Sequence, residues 1–144
     1  MLTHLEFRSD KFPPVEGEDE LVNPDVWGKR LADFLREGLR REGIETGEPI
    51  AEDWGWVVPL IDDPFGVWVG CSNNGDYADG FWCFLHPHKV SLRRLFSARA
   101  ELRAWASLLR EAIDKVLNEG SGVYGKRWFT LDELEQQTMK RGDS

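Results

Sequence analysis

Apolar residues recur at helical spacing in an early segment of the chain, and this periodicity predicts the first long helix. Asn23 suits the N-cap position and Pro24 suits the first helical position, so the helix is expected to begin there. Gly43 suits the left-handed residue that follows a helix end. Gly38 costs about 1 kcal/mol relative to alanine inside a helix, which close approach to the sheet would justify. The apolar positions are Trp27, Leu31, Phe34, Leu35 and Leu39.

A second segment with a continuous apolar face predicts another long helix, with Ser97 at its N-cap and Gly120 at its end. A strand over residues 123–129 is expected to follow it. Thr130 and Glu133 then have the spacing of a capping box, which predicts a short terminal helix. The face of the long helix consists of Leu102, Trp105, Ala106, Leu109, Ala112, Ile113, Val116 and Leu117. The tail, residues 140–144, is expected to fray.

The remaining apolar runs have the length and turn boundaries of β-strands. A first strand is predicted over residues 2–7, and three successive strands are predicted within residues 54–61, 65–71 and 81–85. Residues 9–23 carry prolines, a glycine and an acidic run, which predict a loop over the surface. The order of elements predicts a single α+β domain over residues 1–144. Its expected form is a two-layer sandwich, with a mainly antiparallel sheet of four or five strands and both long helices on one face.

A hairpin centred near Tyr77 would place Cys71 opposite Cys83 on the face that the helices cover. Gly70 would then lie opposite Phe84, where an aromatic ring can cover a glycine. The other face would carry Trp68, Trp82, Phe84 and His86. Large apolar patches are rarely left open, so Trp68, Trp82 and Phe84 are candidate interface residues. A ligand, a second subunit in a homodimer, or the N-terminal loop would cover them.

The charged residues are unevenly distributed along the chain. The formal net charge is −8, which disfavours nucleic acids and anionic membranes as partners and permits a basic protein partner. No lysine or arginine occurs between Arg41 and Lys89, and this interval contains nine acidic residues. Such segregation favours attraction of a basic protein. The alternative is that the acidic loops pair with arginines of the neighbouring helices.

Candidate catalytic and metal-binding groups are sparse. Glu52 and Asp53 could perform acid–base chemistry, but adjacent residues of a strand point to opposite faces. His86 and His88 offer too few ligands for zinc, so no metal site is predicted. Cys71 and Cys83 have no neighbouring base and are interpreted as small buried apolar residues, with a redox-sensitive pair as the alternative. No cofactor motif occurs, so no cofactor is predicted.

Three stretches carry a resemblance to known proteins. The order Glu52-Asp53-Trp54-Gly55-Trp56, then Gly70-Cys71-Ser72-Asn73, then Asp79-Gly80-Phe81-Trp82-Cys83-Phe84 looks like a group of small bacterial proteins of unknown function. In size and acidity the chain also resembles immunity proteins, which neutralise toxins. The resemblance covers the central third of the chain and implies a bacterial binding domain. Residues 1–11 lack the apolar core of a signal peptide, so a cytoplasmic location is expected.

The function that the sequence favours is a non-enzymatic binding domain, of an immunity or regulatory type, that recognises a basic protein. The predicted binding surface consists of Glu52, Asp53, Trp54, Trp56, Asn73, Asp76, Tyr77 and Asp79. One alternative is a small-molecule receptor or enzyme with a pocket that contains carboxylates. Such a pocket would need polar groups that converge, with Glu52, Asp53, Asn73 and His86 as the candidates. The other alternative is a structural homo-oligomer.

Overall fold

The structure is a computed structural model that describes residues 1–87, 98–119 and 122–142. The described residues form a six-stranded antiparallel sheet with the order β2-β3-β4-β5-β1-β6. The strands are β1 (Leu2–Arg8), β2 (Ile50–Glu52), β3 (Gly55–Pro59), β4 (Trp68–Asn74), β5 (Gly80–His86) and β6 (Tyr124–Thr130). The α+β class and the antiparallel sheet are confirmed. The sheet has one strand more than the upper predicted number, because β2 forms a hairpin with β3.

Four helices lie in the described part of the chain: α1 (Glu18–Leu21), α2 (Lys29–Arg41), α3 (Arg99–Asn118) and α4 (Leu131–Gly142). The long helices α2 and α3 pack on each other, and α2 also packs on β3 and β4. Their apolar faces are buried in one core together with residues of one face of the sheet, among them Val58, Cys71 and Cys83. We call this the inner face and the opposite one the outer face. No helix of the described residues is long and apolar enough to cross a membrane.

The beginning of α2 differs from the prediction. The helix begins at Lys29 with Gly28 at the N-cap position, five residues after Pro24. The Glu18 carboxylate accepts hydrogen bonds from the backbone N–H groups of Gly28 and Lys29, both at 2.8 Å, so a side chain distant in sequence caps this helix. Asn23 instead donates its amide to the backbone oxygen of Asp53.

The end of α2 agrees with the prediction, since Gly43 follows it with a φ of 83°. The predicted reason for Gly38 was wrong, because the atoms that a side chain there would meet first belong to α3 and not to the sheet. A Cβ built on Gly38 would lie 2.2 Å from the Val116 Cγ1 atom. Glycine therefore permits the two long helices to approach each other closely.

The hairpin of β4 and β5 has the predicted register. Cys71 pairs with Cys83 and Gly70 pairs with Phe84. A Cβ on Gly70 would lie 2.3 Å from the Phe84 Cζ atom, so the ring covers this glycine as expected. Both cysteines are fully buried on the inner face. The side chains of Trp68, Trp82, Phe84 and His86 therefore lie on the outer face, away from α2 and α3.

The segment predicted as a surface loop, residues 9–23, contributes to the core. Phe12 packs against Phe7 and Phe81 at the end of the inner face. Glu18 is 3% exposed and lies in α1, which occupies part of this segment. The N-terminal loop thus closes the inner face, and it is not the cover of the outer face that the sequence suggested as one option.

The C-terminal elements follow the predicted order. The capping box is present, since the Glu133 carboxylate accepts from the Thr130 N–H and the Thr130 hydroxyl accepts from the Glu133 N–H, both at 3.1 Å. Helix α4 extends to Gly142, so it includes residues 140–142 of the tail that was expected to fray. Ser97 and Gly120, the predicted limits of α3, lie outside the described residues, as do residues 143–144.

Candidate functional site

The turn between β2 and β3 places a tryptophan on the outer face. Asp53 and Trp54 form this two-residue turn, since Glu52 pairs with Gly55 across the hairpin. The Trp54 ring lies back over the sheet, with its centroid 5.1 Å from that of Phe84 and 5.8 Å from that of Trp68. The structure therefore joins Trp54, a predicted binding residue, to two residues that were predicted separately as an interface.

Further rings extend this arrangement across the sheet. The Trp68 centroid lies 5.7 Å from that of Phe84 and 4.7 Å from that of His86. His4 of β1 stacks on Phe84, with centroids 5.2 Å apart and an angle of 8° between the rings. Burial lowers the pKa of His4, and the nearby His86 lowers it further. We call these five residues, Trp54, Trp68, Phe84, His86 and His4, the aromatic cluster.

Helix α4 covers one side of the outer face, which the sequence analysis did not anticipate. Phe129 of β6 is 1% exposed, and its ring centroid lies 6.0 Å from that of Trp82. A hollow of about 300 Å³ lies beside α4 and is lined by Leu134 of that helix. The other residues that line it are Ser72, Trp82 and three members of the aromatic cluster, His4, Trp54 and Phe84. The predicted two-layer arrangement thus gains a partial third layer over β1 and β6, and Trp82 lies beside that layer.

Within residues 1–87, 98–119 and 122–142, no residue covers the other side of the outer face. A groove of about 570 Å³ extends over β2, β3 and β4 on the far side of Trp54. Its lining is mainly apolar and includes Val57, Pro59, Trp54 and Trp68, and Glu52 contributes a carboxylate. Ile50 of the edge strand β2 is 50% exposed, and Trp54 is 37% exposed. We call this surface the edge groove.

Glu52, which lines the edge groove, and the adjacent Asp53 have no basic partner among the described residues. Both residues are exposed. The alternative that acidic loops pair with arginines of the neighbouring helices holds for Glu48, which pairs with Arg36 of α2. Glu42 and Asp79 pair instead with Lys115 of α3 and with Arg8 of β1. The edge groove therefore combines exposed aromatic area with negative charge.

Two predicted binding residues have structural positions instead. Trp56 is 4% exposed on the inner face, and its indole N–H donates to the Glu18 carboxylate at 2.8 Å. Asn73 accepts a hydrogen bond from the Trp27 N–H and donates one to the backbone oxygen of Asp25. Asn73 thus fastens the segment before α2 to β4. It does not converge with Glu52 on a pocket, as the small-molecule alternative required.

The remaining predicted residues lie at the turn between β4 and β5. Asp79 forms a salt bridge of 2.8 Å with Arg8 and accepts a hydrogen bond from the Tyr124 hydroxyl. The Tyr124 hydrogen bond, followed by the one from Arg8, lowers the pKa of Asp79. The Arg8 guanidinium carbon also lies 4.4 Å from the centroid of the Tyr77 ring. Asp79 of this turn, which also carries Asp76, is thus already paired with Arg8 of β1, and no residue of the turn is among those that line the edge groove.

Glu18 is the structurally important acid that the sequence analysis did not identify. Its carboxylate accepts from the Trp56 indole and from the backbone N–H groups of Val15, Gly28 and Lys29, at 2.8 to 2.9 Å. It therefore connects the N-terminal loop, α2 and β3. Local sequence offers no signal for this role, because Glu18 lies within a run of similar acids.

The described residues do not assemble a reactive centre from the candidates considered. Burial raises the pKa of Cys71 well above its usual range, followed in effect by a hydrogen bond with Cys83, and this disfavours the thiolate form. No three histidine, cysteine, aspartate or glutamate side chains in this part of the chain are grouped to hold a metal ion. His88, the second histidine of the candidate pair, lies outside the described residues.

Comparison with known proteins finds no matching protein-family model, no matching curated protein and no matching solved structure. The similarity to immunity-type proteins therefore stays a prediction. The geometry and charge of the outer face, and of the edge groove in particular, are the basis on which a function is inferred.

Proposed function

We propose that this protein is a binding domain that recognises a basic partner protein at the edge groove. In this proposal Trp54 and Trp68 provide the aromatic contact surface, and Glu52 and Asp53 receive an arginine or lysine of the partner. The observation that carries the proposal is the position of the half-exposed Trp54 ring beside two carboxylates without a basic partner in the described structure. An immunity-type or regulatory protein would act in this way, by occupying a surface of its target.

The edge groove can bind a cation through contact with an aromatic ring as well as through opposite charge. A guanidinium group can stack on an indole ring and donate hydrogen bonds to a carboxylate at the same time. Contact with an aromatic face contributes about 0.5–1 kcal/mol at an exposed site, and about 2 kcal/mol when water is excluded. Ile50 and Val57 add apolar area beside this position. An arginine flanked by an apolar residue therefore matches the groove.

Long-range electrostatics supports the same class of partner. The interval between Arg41 and Lys89 supplies β2 to β5 and contains nine acidic residues but no lysine or arginine. Such a surface attracts a basic protein and raises its rate of association. It repels the phosphates of a nucleic acid. The partner class that fits both the charge and the apolar lining is therefore a protein.

The proposal is tested by titrating the protein with N-acetylarginine methylamide and, as a neutral control of similar shape, N-acetylcitrulline methylamide. Nuclear magnetic resonance of the indole N–H groups reports on each tryptophan separately. The arginine compound should shift the Trp54 and Trp68 signals and leave that of the buried Trp56 unchanged. Glu52→Gln should weaken this response, whereas Glu16→Gln, the same change at an exposed acid of the N-terminal loop, should not. Equal shifts with both compounds would contradict the proposal.

A homodimer through the outer face is the second candidate, and the exposure of Trp54 and Ile50 favours it. Pairing of two copies would bring Glu52 and Asp53 of each chain close together, and this repulsion favours the basic partner instead. Light scattering of the wild type and of Trp68→Ser decides between the two. A dimer that Trp68→Ser dissociates would establish self-association, and a monomer in both would leave the face open for a partner.

A further inference from the structure

The two edges of the sheet differ in how far they are protected against pairing with another chain. The pairing of β6 with β1 contains two register shifts, and β6 carries Lys126 and Arg127. Gly125 of this strand also has a φ of 67°. Bulges and charged residues such as lysine are the usual means of blocking an exposed edge. Strand β2 has a regular register with β3 and contains no basic residue, and no other described strand pairs with it. Its short length, the preceding Pro49 and the charge of Glu52 limit pairing there.

The register of the β2–β3 hairpin indicates which backbone groups face outwards at this edge. Glu52 and Gly55 flank the two-residue turn and form the pair closest to it. In such a hairpin the flanking pair exchanges backbone hydrogen bonds, and hydrogen-bonded pairs alternate with non-bonded pairs. Glu52 and Ile50 therefore direct their N–H and C=O groups towards β3. Ala51, between them, directs its own groups away from the sheet.

We infer that the basic partner binds as an extended segment that pairs with the open edge of β2 and becomes a seventh strand of the sheet. This inference rests on the proposed function and adds the conformation of the ligand to it. Backbone hydrogen bonds to Ala51 would fix the register, and side chains entering pockets would give specificity, as in other cases of strand addition. The edge groove lies directly beside β2 on the outer face, where such side chains would enter.

The alternation of the sheet predicts the sequence pattern of the bound segment. Ile50 and Glu52 lie on the outer face with Val57, because Ile50 pairs with Val57 and Val57 pairs with Gly70. Residues of the segment opposite Ile50 and Glu52 therefore enter the edge groove, and the residue between them turns to the inner side. An apolar residue suits the position beside Ile50, and arginine or lysine suits the position beside Glu52.

Charge distinguishes a basic partner from a second copy of this chain. If β2 of one chain paired with β2 of another, Glu52 and Asp53 of both copies would lie close together. Glu48, whose side chain is 81% exposed, would add to this repulsion even though it contacts Arg36. A basic segment would instead form ion pairs with these carboxylates. The occupant that the edge favours is therefore a strand from a different, basic protein.

The test uses a synthetic peptide, acetyl-Thr-Val-Thr-Arg-Thr-Val-Thr-amide, whose valine and arginine side chains share one face of a strand. Its affinity is compared with that of a form containing citrulline in place of arginine. Two further forms carry N-methyl groups on either the odd-numbered or the even-numbered residues. Only one set of amides faces β2, so one methylated form should bind about tenfold or more weakly and the other should bind like the parent.

A substitution at Ala51 of the protein tests the same backbone hydrogen bonds. Ala51→Pro removes the outward N–H and should lower the affinity for the parent peptide about tenfold, whereas Ala51→Val keeps the N–H and should bind like the wild type. Circular dichroism establishes whether the proline variant is folded. If it is not, amide exchange in the wild type decides, since the peptide should slow exchange at Ala51.

The outcomes separate this inference from the proposed function. Strand addition is overturned, and the proposed function retained, if both methylated peptides bind like the parent while the citrulline peptide binds more weakly. The proposed function fails, and this inference with it, if the parent and citrulline peptides bind equally or if neither binds. Loss of binding by one methylated form alone, together with dependence on arginine, supports both.

Discussion

Two tryptophans of one hairpin have opposite environments although they are only two residues apart. Trp56, on β3, is 4% exposed and donates its indole N–H to the buried Glu18 carboxylate. Trp54, in the turn, is 37% exposed and lies over Trp68 and Phe84 on the outer face. The same residue type therefore contributes to stability on the inner face and supplies accessible aromatic area on the outer face.

The difference between the two tryptophans extends to the two faces of the sheet. Helices α2 and α3 and the N-terminal loop close the inner face, where the core residues are almost entirely buried. On the outer face, α4 covers the side near β1 and β6 and leaves the edge groove open beside β2. Substitutions on the inner face should therefore affect mainly stability, and substitutions at the edge groove should affect mainly binding.

The largest expected effect is that of Trp56→Ala. Removing a buried tryptophan leaves a cavity and takes one hydrogen-bond donor from Glu18, so the free energy of unfolding should fall by about 3–5 kcal/mol. Trp54→Ala is the matched control, and it should cost about 1–2 kcal/mol because its ring is already partly in contact with water. Urea unfolding of both variants measures the difference. Equal losses would contradict the contrast between the two faces.

The second-largest expected effect concerns Glu18, whose carboxylate accepts the hydrogen bond of the Trp56 indole. Glu18→Ala removes the acceptor of four hydrogen bonds and leaves buried donors unpaired, so the free energy of unfolding should fall by about 2–4 kcal/mol. Glu20→Ala changes an exposed acid of the same short helix and should alter stability by less than about 0.5 kcal/mol. Chemical denaturation of the two variants is the measurement. A small effect of Glu18→Ala would show that the carboxylate does not organise the inner face.

Sequence periodicity was sufficient for the elements whose apolar residues repeat regularly. The faces of the long helices, the register of Cys71 with Cys83 and the capping box at Thr130 could all be predicted, because each depends on local spacing. The beginning of α2 could not, since its cap is Glu18, a side chain from an earlier segment. A cap of this kind leaves no pattern at the helix boundary itself.

The candidate site shows the same limit. Glu52, Asp53 and Trp54 could be identified as an unusual acidic and aromatic group from sequence alone. The contact of Trp54 with Trp68 and Phe84 depends on how the Trp54 ring is oriented over the sheet. Strand alternation does not determine this orientation for a residue in a turn. The position of Trp56 follows from the alternation of β3, but only after the sheet has been assembled.

A smaller effect is expected where the two long helices meet behind the inner face. Gly38→Ala would place a methyl group against the buried Val116 side chain, and this crowding should exceed the gain in helix propensity and cost about 1–2 kcal/mol. Combined with Val116→Ala, the same change should cost less than it does in the wild type, because the two Cγ atoms of Val116 are removed and only its Cβ, at 3.0 Å, remains close. Thermal denaturation of the three variants shows whether the crowding is specific to this contact.

The smallest effect is a pH dependence on the outer face. The pKa of His4 is lowered mainly by burial and also by His86, so the folded protein binds a proton at His4 less readily than the unfolded chain. The stability from neutral His4 is present above about pH 6.5, the ordinary histidine pKa, and is lost as the pH falls below it. The melting temperature of the wild type should therefore decrease more than that of His4→Gln between about pH 7.5 and 5.5. Identical decreases would indicate that His4 is not held neutral by its surroundings.

Trp54 is proposed to recognise a basic protein, whereas Trp56 stabilises the fold. The most direct test of this division measures the affinity of Trp54→Ala for the arginine-containing peptide, together with its free energy of unfolding. We expect a folded protein, destabilised by no more than about 2 kcal/mol, whose affinity falls about tenfold or more. If the folded Trp54→Ala variant binds the peptide as tightly as the wild type, Trp54 does not contribute to recognition.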